Sequence, residues 1–396
     1  MPRILRIINR FNLGGPTYNA AYLTKYMEPE FETLLIGGVH DDEEDSSEYI
    51  VRNLGIRPFI IPEMRREISP ANDLIAYNKI RNIIKRFKPD IVHTHASKAG
   101  ILGRKAAFNC NVPVVVHTFH GHVFHSYFNS YKSKAFQKIE QQLAKKTTRI
   151  IAVSDKQREE LSDTYNIAPA NNIEVVPLGF DLSRFHENMD EKRRSFRKDY
   201  MIEDDEVAVG IIGRLAPIKN HDMFINAIHK VINTTDKRVR VFIVGDGENR
   251  EILKKKATEL GIDFACNGEC KKRRVTLAFT SWIKEVDWVY AGLDIVALTS
   301  LNEGTPVSLI EAQASNTPIV STNVGGIENI VIPGETAILT RNGNLDDFTD
   351  KLMTVIHNDE LREKLAVKGW DYVHERFHYT TLINNMKSFY HELLNN

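Results

Sequence analysis

Cysteine is scarce. The 396 residues hold three, Cys110, Cys266 and Cys270, an odd number too small for a disulfide framework, which points to a reducing compartment. Cys266 and Cys270 stand in CNGEC with no second ligand pair nearby, so the stretch reads as a loop and not as a zinc site. Net charge is also missing: Lys plus Arg and Asp plus Glu number 52 each. A chain without an overall field has nothing general to draw nucleic acid or anionic lipid, and any such attraction is local. No apolar run approaches the roughly 18 residues of a spanning helix. The first residues, MPRILRII, run straight into a strand-like pattern without a signal-peptide layout. These absences lead to the expectation of a cytoplasmic protein that meets a membrane at most on its inner surface.

What is present is alternation. Short β-branched runs are separated by longer amphipathic stretches, the pattern of a parallel sheet with helical crossovers. Strands are predicted at residues 4–8, 33–37, 91–95, 114–118, 150–153 and 173–176, and a second set at 207–212, 239–244, 275–279, 295–299, 318–321 and 337–339. Between the sets lies DLSRFHENMDEKRRSFRKDYMIEDDE, a polar linker followed by a short helix. The reading is α/β: two Rossmann-like doubly wound domains, 1–185 and 186–375, facing each other across a cleft. A helix over about 376–396 is positioned to pack back on the first.

Several segments sit where such sheets bind ligands. Gly14 and Gly15 follow the first strand and Pro16 suits a helix start, an arrangement that fits a phosphate or sugar approach and equally a plain turn. His93 and His95 share one strand face and read as partly buried, satisfied histidines, whereas His120 and His122, in TFHGH, lie past a strand end with a glycine that leaves His120 accessible. No carboxylate or cysteine completes a metal set around them. In GRLAPIKN, Arg214 and Lys219 are placed to clamp a diphosphate, or to form a solvated loop pair. FIVGDGE puts Gly245 in a tight turn after another strand. In LTSLNEGTPVSLIEAQAS, Glu303 ends a loop, Thr305 and Pro306 start a helix whose free amides suit a phosphate, and Glu311 lies about two turns in, an acceptor for ribose hydroxyls.

VVPLGFDLSRF, GRLAPIKN, VGDGE, EGTPVSLIE and VGGIENIV, in this order and over nearly the whole chain, resemble the family-4 retaining glycosyltransferases of the GT-B fold. The resemblance implies transfer of a sugar from a nucleotide diphosphate sugar, a UDP-sugar by family frequency, with retention and without metal or other cofactor. It assigns the diphosphate to Arg214 and Lys219, the ribose to Glu311, and the transferred sugar to Glu303. Gly304, Thr305, Pro306 and Val307 form the helix start, Gly15 backbone meets the phosphate side, Trp282 and Ile283 lie against the base, and His120 approaches sugar and acceptor. The chain has no Asp-x-Asp triplet of the kind that holds a divalent cation in the other common transferase fold.

REISPANDL, KPDIVHTHASKAGILGR and HTFHGHVFH are similar to bacterial transferases of capsule and O-antigen assembly on polyprenyl-diphosphate lipids. Arg65, Arg66 and His122 then fall on the acceptor side. Phe124, Tyr127, Phe128 and Tyr131, followed by Lys132, Lys134, Lys138, Lys145 and Lys146, suit a membrane surface or an ordinary amphipathic helix. Asn316 departs from the family's usual glycine, and Glu328–Asn329 from its proline–glutamate pair. The alternatives are a nucleotide-sugar epimerase of the same architecture and a non-catalytic sugar-nucleotide-binding protein.

Overall fold

The β-branched runs become strands buried on both faces, as parallel strands covered by helices must be. A computed structural model of the chain describes residues 1–11, 15–39, 48–65, 67, 69–120 and 130–395. The chain forms two compact units, Met1–Phe180 with Phe377–Asn396, and Asp181–Arg376.

In the first unit β1 (Arg3–Arg10), β2 (Glu32–Gly38), β3 (Phe59–Ile60), β4 (Ile91–His95), β5 (Val114–Phe119), β6 (Arg149–Ala152) and β7 (Ile173–Val175) form a sheet in the order β3-β2-β1-β4-β5-β6-β7. The second unit repeats the plan with β8 (Glu206–Ile212), β9 (Arg238–Val244), β10 (Phe264–Cys266), β11 (Leu277–Ser281), β12 (Ile295–Leu298), β13 (Ile319–Thr322) and β14 (Ala337–Thr340), in the order β10-β11-β9-β8-β12-β13-β14. Neighbouring strands pair in parallel throughout, in register from Ile4↔Ile91 in one sheet to Val296↔Ile319 in the other.

Each sheet has one strand more than the sequence predicts. The additions, β3 and β10, are edge strands of two and three residues, too short to show alternation. β10 takes in Cys266, so CNGEC is a strand end followed by the 3₁₀ turn Asn267–Lys271, and all three cysteines are free. β11 begins two residues later than expected. The polar joint carries the helix Met189–Asp199, and the helix expected over about 376–396 is Tyr379–Asn395, preceded by a separate helix, Gly369–Phe377. The second tail helix belongs to the first unit: Leu382, Ile383, Met386, Phe389 and Leu393 pack with Ile4, Leu23, Phe31 and Ile91. Burial of each such side chain contributes roughly 1.5–3 kcal/mol, which holds the end of the chain on the domain that begins it.

Candidate functional site

Chain order in the second sheet reverses at β8, which has β9 on one side and β12 on the other. The loops leaving the carboxyl ends of β8 and β12 are therefore neighbours at the switch point, where open parallel sheets hold ligands. Backbone bonds stitch them together. Leu301 N donates to Ile218 O at 2.8 Å, and Thr299 Oγ1 donates to Lys219 O and Asn220 O at 3.1 and 3.0 Å. The 3₁₀ turn Pro217–Lys219 is thereby fixed, and Lys219 Nζ donates to Glu303 Oε1 at 2.5 Å. The same oxygen accepts Ser300 Oγ at 2.6 Å. Four strands and three α-helices separate this lysine and glutamate in sequence; the fold joins them as an ion pair largely shielded from water.

Two glycines hold the loops at this distance. Gly325 has φ +58°, and a Cβ there would fall 1.8 Å from Glu303 O. Gly245 has φ +142°, and a Cβ would fall 2.0 Å from Gly213 O. Only residues without a side chain allow such backbone approach. Arg214 does not turn toward Glu303. It is 69% exposed and meets Glu248 of the VGDGE turn at 3.3 Å, so Arg214 and Lys219 are each held by a different carboxylate. In the same turn Asp246 accepts from Ser281 Oγ, Arg250 Nη1 and Gly247 N, each at 2.8 Å. Burial raises its pKa, but these bonds and the Arg250 charge outweigh that and hold it below the usual carboxylate value. Trp282, just past Ser281, is exposed and Ile283 half-buried.

Gly304 is exposed, Thr305 half-buried and Pro306 buried, and the helix Val307–Ala314 starts directly after them. Its first amides have no partner within the helix and carry the positive end of its dipole. Glu311 is the fifth residue of this helix, one turn in and not two, because the helix starts at Val307 and not at Thr305. Tyr290 Oη donates to Glu311 Oε2 at 3.0 Å. Burial pushes the Glu311 carboxyl up to about 7, against the Tyr290 bond and the Arg184 charge, with Asp287 adding to the rise. Tyr290 and Arg184 escaped the sequence reading. Arg184 lies in the DLSRF stretch taken for linker, and a buried tyrosine carries no local signal. Asn316 sits at φ +51° just past the helix, and its Oδ1 accepts Trp370 N at 2.9 Å. The position needs the left-handed region, which glycine takes freely and asparagine tolerates.

In the first unit the reversal lies at β1, between β2 and β4. Gly15 opens the helix Gly15–Lys25 after β1, and His120 follows the end of β5. His93, His95 and His117 are fully buried, beyond the partial burial expected of strand histidines. His120 is half-buried and less open than its glycine neighbour suggested: His95 Nδ1 lies 2.8 Å from its Nε2, and its Nδ1 is sealed from solvent with no partner among the described residues. Burial lowers its pKa to about 3, so the ring is neutral. Arg65 is exposed, with its carbonyl accepting Lys98 Nζ at 2.9 Å. Gly14, Arg66, His122, Phe124, Tyr127 and Phe128 lie outside the described residues, as do the side chains of Tyr131 and Lys132. Among the described residues no group of three or more His, Cys, Asp or Glu is placed to hold a metal ion, and no helix is long and apolar enough to cross a membrane.

With this geometry in place, comparison with known proteins accounts for both halves. Residues 14–184 match the family described as Glycosyltransferase Family 4, and residues 192–369 match Glycosyl transferases group 1. The chain is 29% identical over 342 residues, 86% of its length and 85% of the relative's, to the UDP-Gal:alpha-D-GlcNAc-diphosphoundecaprenol alpha-1,3-galactosyltransferase of Escherichia coli. It is 26% identical over 340 residues, 85% of each chain, to the capsular polysaccharide biosynthesis glycosyltransferase CapM of Staphylococcus aureus. Its fold superposes on Anabaena HepE, solved in complex with UDP, with a TM-score of 0.80 at 19% identity, covering 99% of this chain and 100% of that one.

Proposed function

Because the chain belongs to the GT-B glycosyltransferases whose halves are a Family 4 and a group 1 domain, we propose that it transfers a sugar, with retention, from a UDP-sugar to a lipid-linked saccharide in surface-polysaccharide assembly. The observation that carries the reading is the Lys219–Glu303 pair at the second sheet's switch point, flanked by the start of the helix Val307–Ala314 and by Glu311. Both matched families are described as transferases, which does not favour an epimerase or a non-catalytic binder.

In this reading Lys219, Arg214 and the helix start hold the donor diphosphate, and Glu311 accepts hydrogen bonds from the ribose. Trp282 and Ile283 lie against the base. Glu303 receives sugar hydroxyls while keeping Lys219 pointed at the leaving group. As the bond from the sugar's anomeric carbon to the diphosphate oxygen breaks, the acceptor oxygen bonds to that carbon from the same face, and its proton passes to the departing diphosphate. The protein's contribution is stabilisation of the charge that grows there. This reading needs no metal, since Lys219, Arg214 once it leaves Glu248, and the helix dipole together would neutralise the diphosphate charge. In the first unit His120 meets a sugar oxygen, Gly15 backbone the phosphate side, and Arg65 and Arg66, with His122, the acceptor. The lipid-linked acceptor named for the E. coli relative supports that class here, as does the cationic helix Ser130–Ala144 with exposed Lys134 and Lys138, which suits anionic headgroups at the inner membrane face.

The test is transfer from UDP-sugars to polyprenyl-diphosphate saccharides in anionic vesicles, with the anomeric configuration of the product read by NMR. Wild type yields the retained anomer. Lys219→Ala raises the donor's Kd about tenfold or more, as loss of a charge-assisted contact implies. An inverted product, or donor binding untouched in Lys219→Ala, overturns the reading. Full-rate transfer to a soluble sugar without vesicle binding removes its membrane part.

A further inference from the structure

In the first unit a chain of buried polar groups ends at His120. Arg6 is a donor only, and its Nη1 lies 2.9 Å from Tyr390 Oη and 3.1 Å from His93 Nδ1. A ring nitrogen that receives a guanidinium N–H is an acceptor, so Tyr390 Oη, 2.6 Å from the same nitrogen, also donates to it. His93 is therefore protonated on Nε2, which donates to Thr118 Oγ1 at 2.7 Å. His95 packs against this fixed ring, centroids 4.1 Å apart, and meets His120 Nε2 through its Nδ1.

One N–H···N bond between two neutral imidazoles leaves one outward N–H and one outward lone pair. The outward atoms are His95 Nε2 and His120 Nδ1, and neither has a partner among the described residues. A buried N–H without an acceptor is a rare and costly arrangement. Both atoms are sealed from solvent in the free chain, but His95 is 0% exposed as a whole residue, whereas His120 is half-buried just past the end of β5, the edge where ligands enter, so an acceptor that arrives with the substrate can reach His120 and not His95. The N–H therefore belongs on His120.

We propose that His95 is a positioning residue: its Nδ1–H donates to His120 Nε2 and locks His120 in the Nδ1–H tautomer, so that His120 offers substrate oxygen a hydrogen-bond donor and not a base. The proposal rests on the reading of His120 as a substrate contact. Burial first, and then the Arg6 and histidine charges nearby, keep the pKa of His95 far below the usual histidine value, which holds the pair neutral at working pH. A neutral donor leaves the acceptor's proton to the departing diphosphate and does not compete for it.

The tautomer is read directly in the full-length chain labelled with ¹⁵N-histidine, using multiple-bond ¹H–¹⁵N spectra with His120 assigned by its loss in His120→Asn. Between pH 6 and 8 the expected pattern is a protonated Nδ1 and an unprotonated Nε2. A protonated Nε2 overturns the role of His95 whatever the activity. Asparagine keeps a donor near the Nδ1 position, so His95→Asn stays within about threefold of wild-type kcat, while His95→Ala loses about tenfold or more with donor KM little changed. Full turnover and an unchanged tautomer in His95→Ala overturn the proposal, and if that variant fails to fold the wild-type spectrum decides. Full-rate transfer by His120→Ala is a separate result: it removes the underlying reading of His120 and leaves the tautomer standing.

Discussion

The two units are built to one plan and place their polar groups in opposite ways. In the first, polarity runs through the core: Arg6 and His93 lie within adjacent strands, and Arg104, His117 and Glu140 are sealed behind them. In the second, the strands near the switch point are apolar, with Ile211, Val296 and Ala297 buried, and the charges stand on loops beyond the strand ends. Its buried Arg240 and Glu206 lie toward the opposite, amino-terminal edge of the sheet. A group held in a core has its protonation and orientation decided by folding, whereas a group on a loop is free to exchange partners when a ligand arrives. Substitutions in the first unit are thus expected to cost stability, and those in the second to cost binding.

The largest effect that would break this contrast is at Arg104. Its Nη2 meets Glu140 Oε2 at 2.5 Å, with side-chain exposures of 0% and 2%. Arg104→Ala leaves a carboxylate buried without its cation, and about 3–5 kcal/mol of stability is lost. Replacing both partners, as Arg104→Met with Glu140→Leu, recovers most of it, since a well-packed apolar pair substitutes for a buried ionic one. Urea unfolding of the three chains checks this. A cost below about 1 kcal/mol for Arg104→Ala would mean that water reaches the pair, and the first unit's core would then not differ in kind from the second's loops.

How far each arrangement could be read in advance follows from the same difference. The second unit's site was legible because its residues fall in short runs just after strands: GRLAPIKN, VGDGE and EGTPVSLIE announce themselves by spacing. What spacing hid was pairing. Arg214 and Lys219, five residues apart, go to Glu248 and Glu303, a choice made by which strands neighbour β8. In the first unit the alternation of His93 and His95 was visible. Partial burial was also legible, but not its completeness, because its cause is partly Tyr390, almost three hundred residues later in sequence, brought in by the tail helix. The two missed strands are edges of two and three residues, where periodicity has nothing to count.

A smaller effect sharpens the comparison within the second unit, where burial pushes the carboxyl of the half-buried Glu311 upward. Its pKa is raised from 4.5 to about 7. The folded chain keeps a proton that the unfolded chain releases, so the associated stability is fully present below pH 4.5 and is lost as pH rises through about 7. Ribose hydroxyls donate to the ionised form, so donor affinity runs the other way. Kd for a UDP-sugar, whose diphosphate diester does not titrate in this range, is expected to fall about tenfold between pH 6 and 8 and then level off. Tyr290, Arg184 and Asp287 are the groups that act on this carboxyl, and Glu311→Gln is expected to abolish the pH dependence while weakening binding. Calorimetric titration of both chains across the range decides it; a flat profile in wild type would show that Glu311 does not meet the ribose as a carboxylate.

The smallest expected effect tests whether loop charges really are exchangeable. Arg214 meets Glu248 at 3.3 Å, with side chains 69% and 50% exposed. An ion pair this open contributes about 0–1 kcal/mol, because solvent screens it and ordering two long side chains offsets the attraction. If Arg214 serves the donor diphosphate, Glu248 is only its resting partner, and the guanidinium must leave it to bind. Glu248→Gln should then leave thermal stability within about 0.5 kcal/mol of wild type and tighten donor binding by at most about threefold, since the competitor removed was weak. Lys219 gives the contrast, because its carboxylate partner is nearly sealed and takes part in the same site. A donor Kd about tenfold weaker in Glu248→Gln would show that Glu248 touches the donor itself, and that Arg214 and Glu248 act as a fixed pair, as the buried groups of the first unit do.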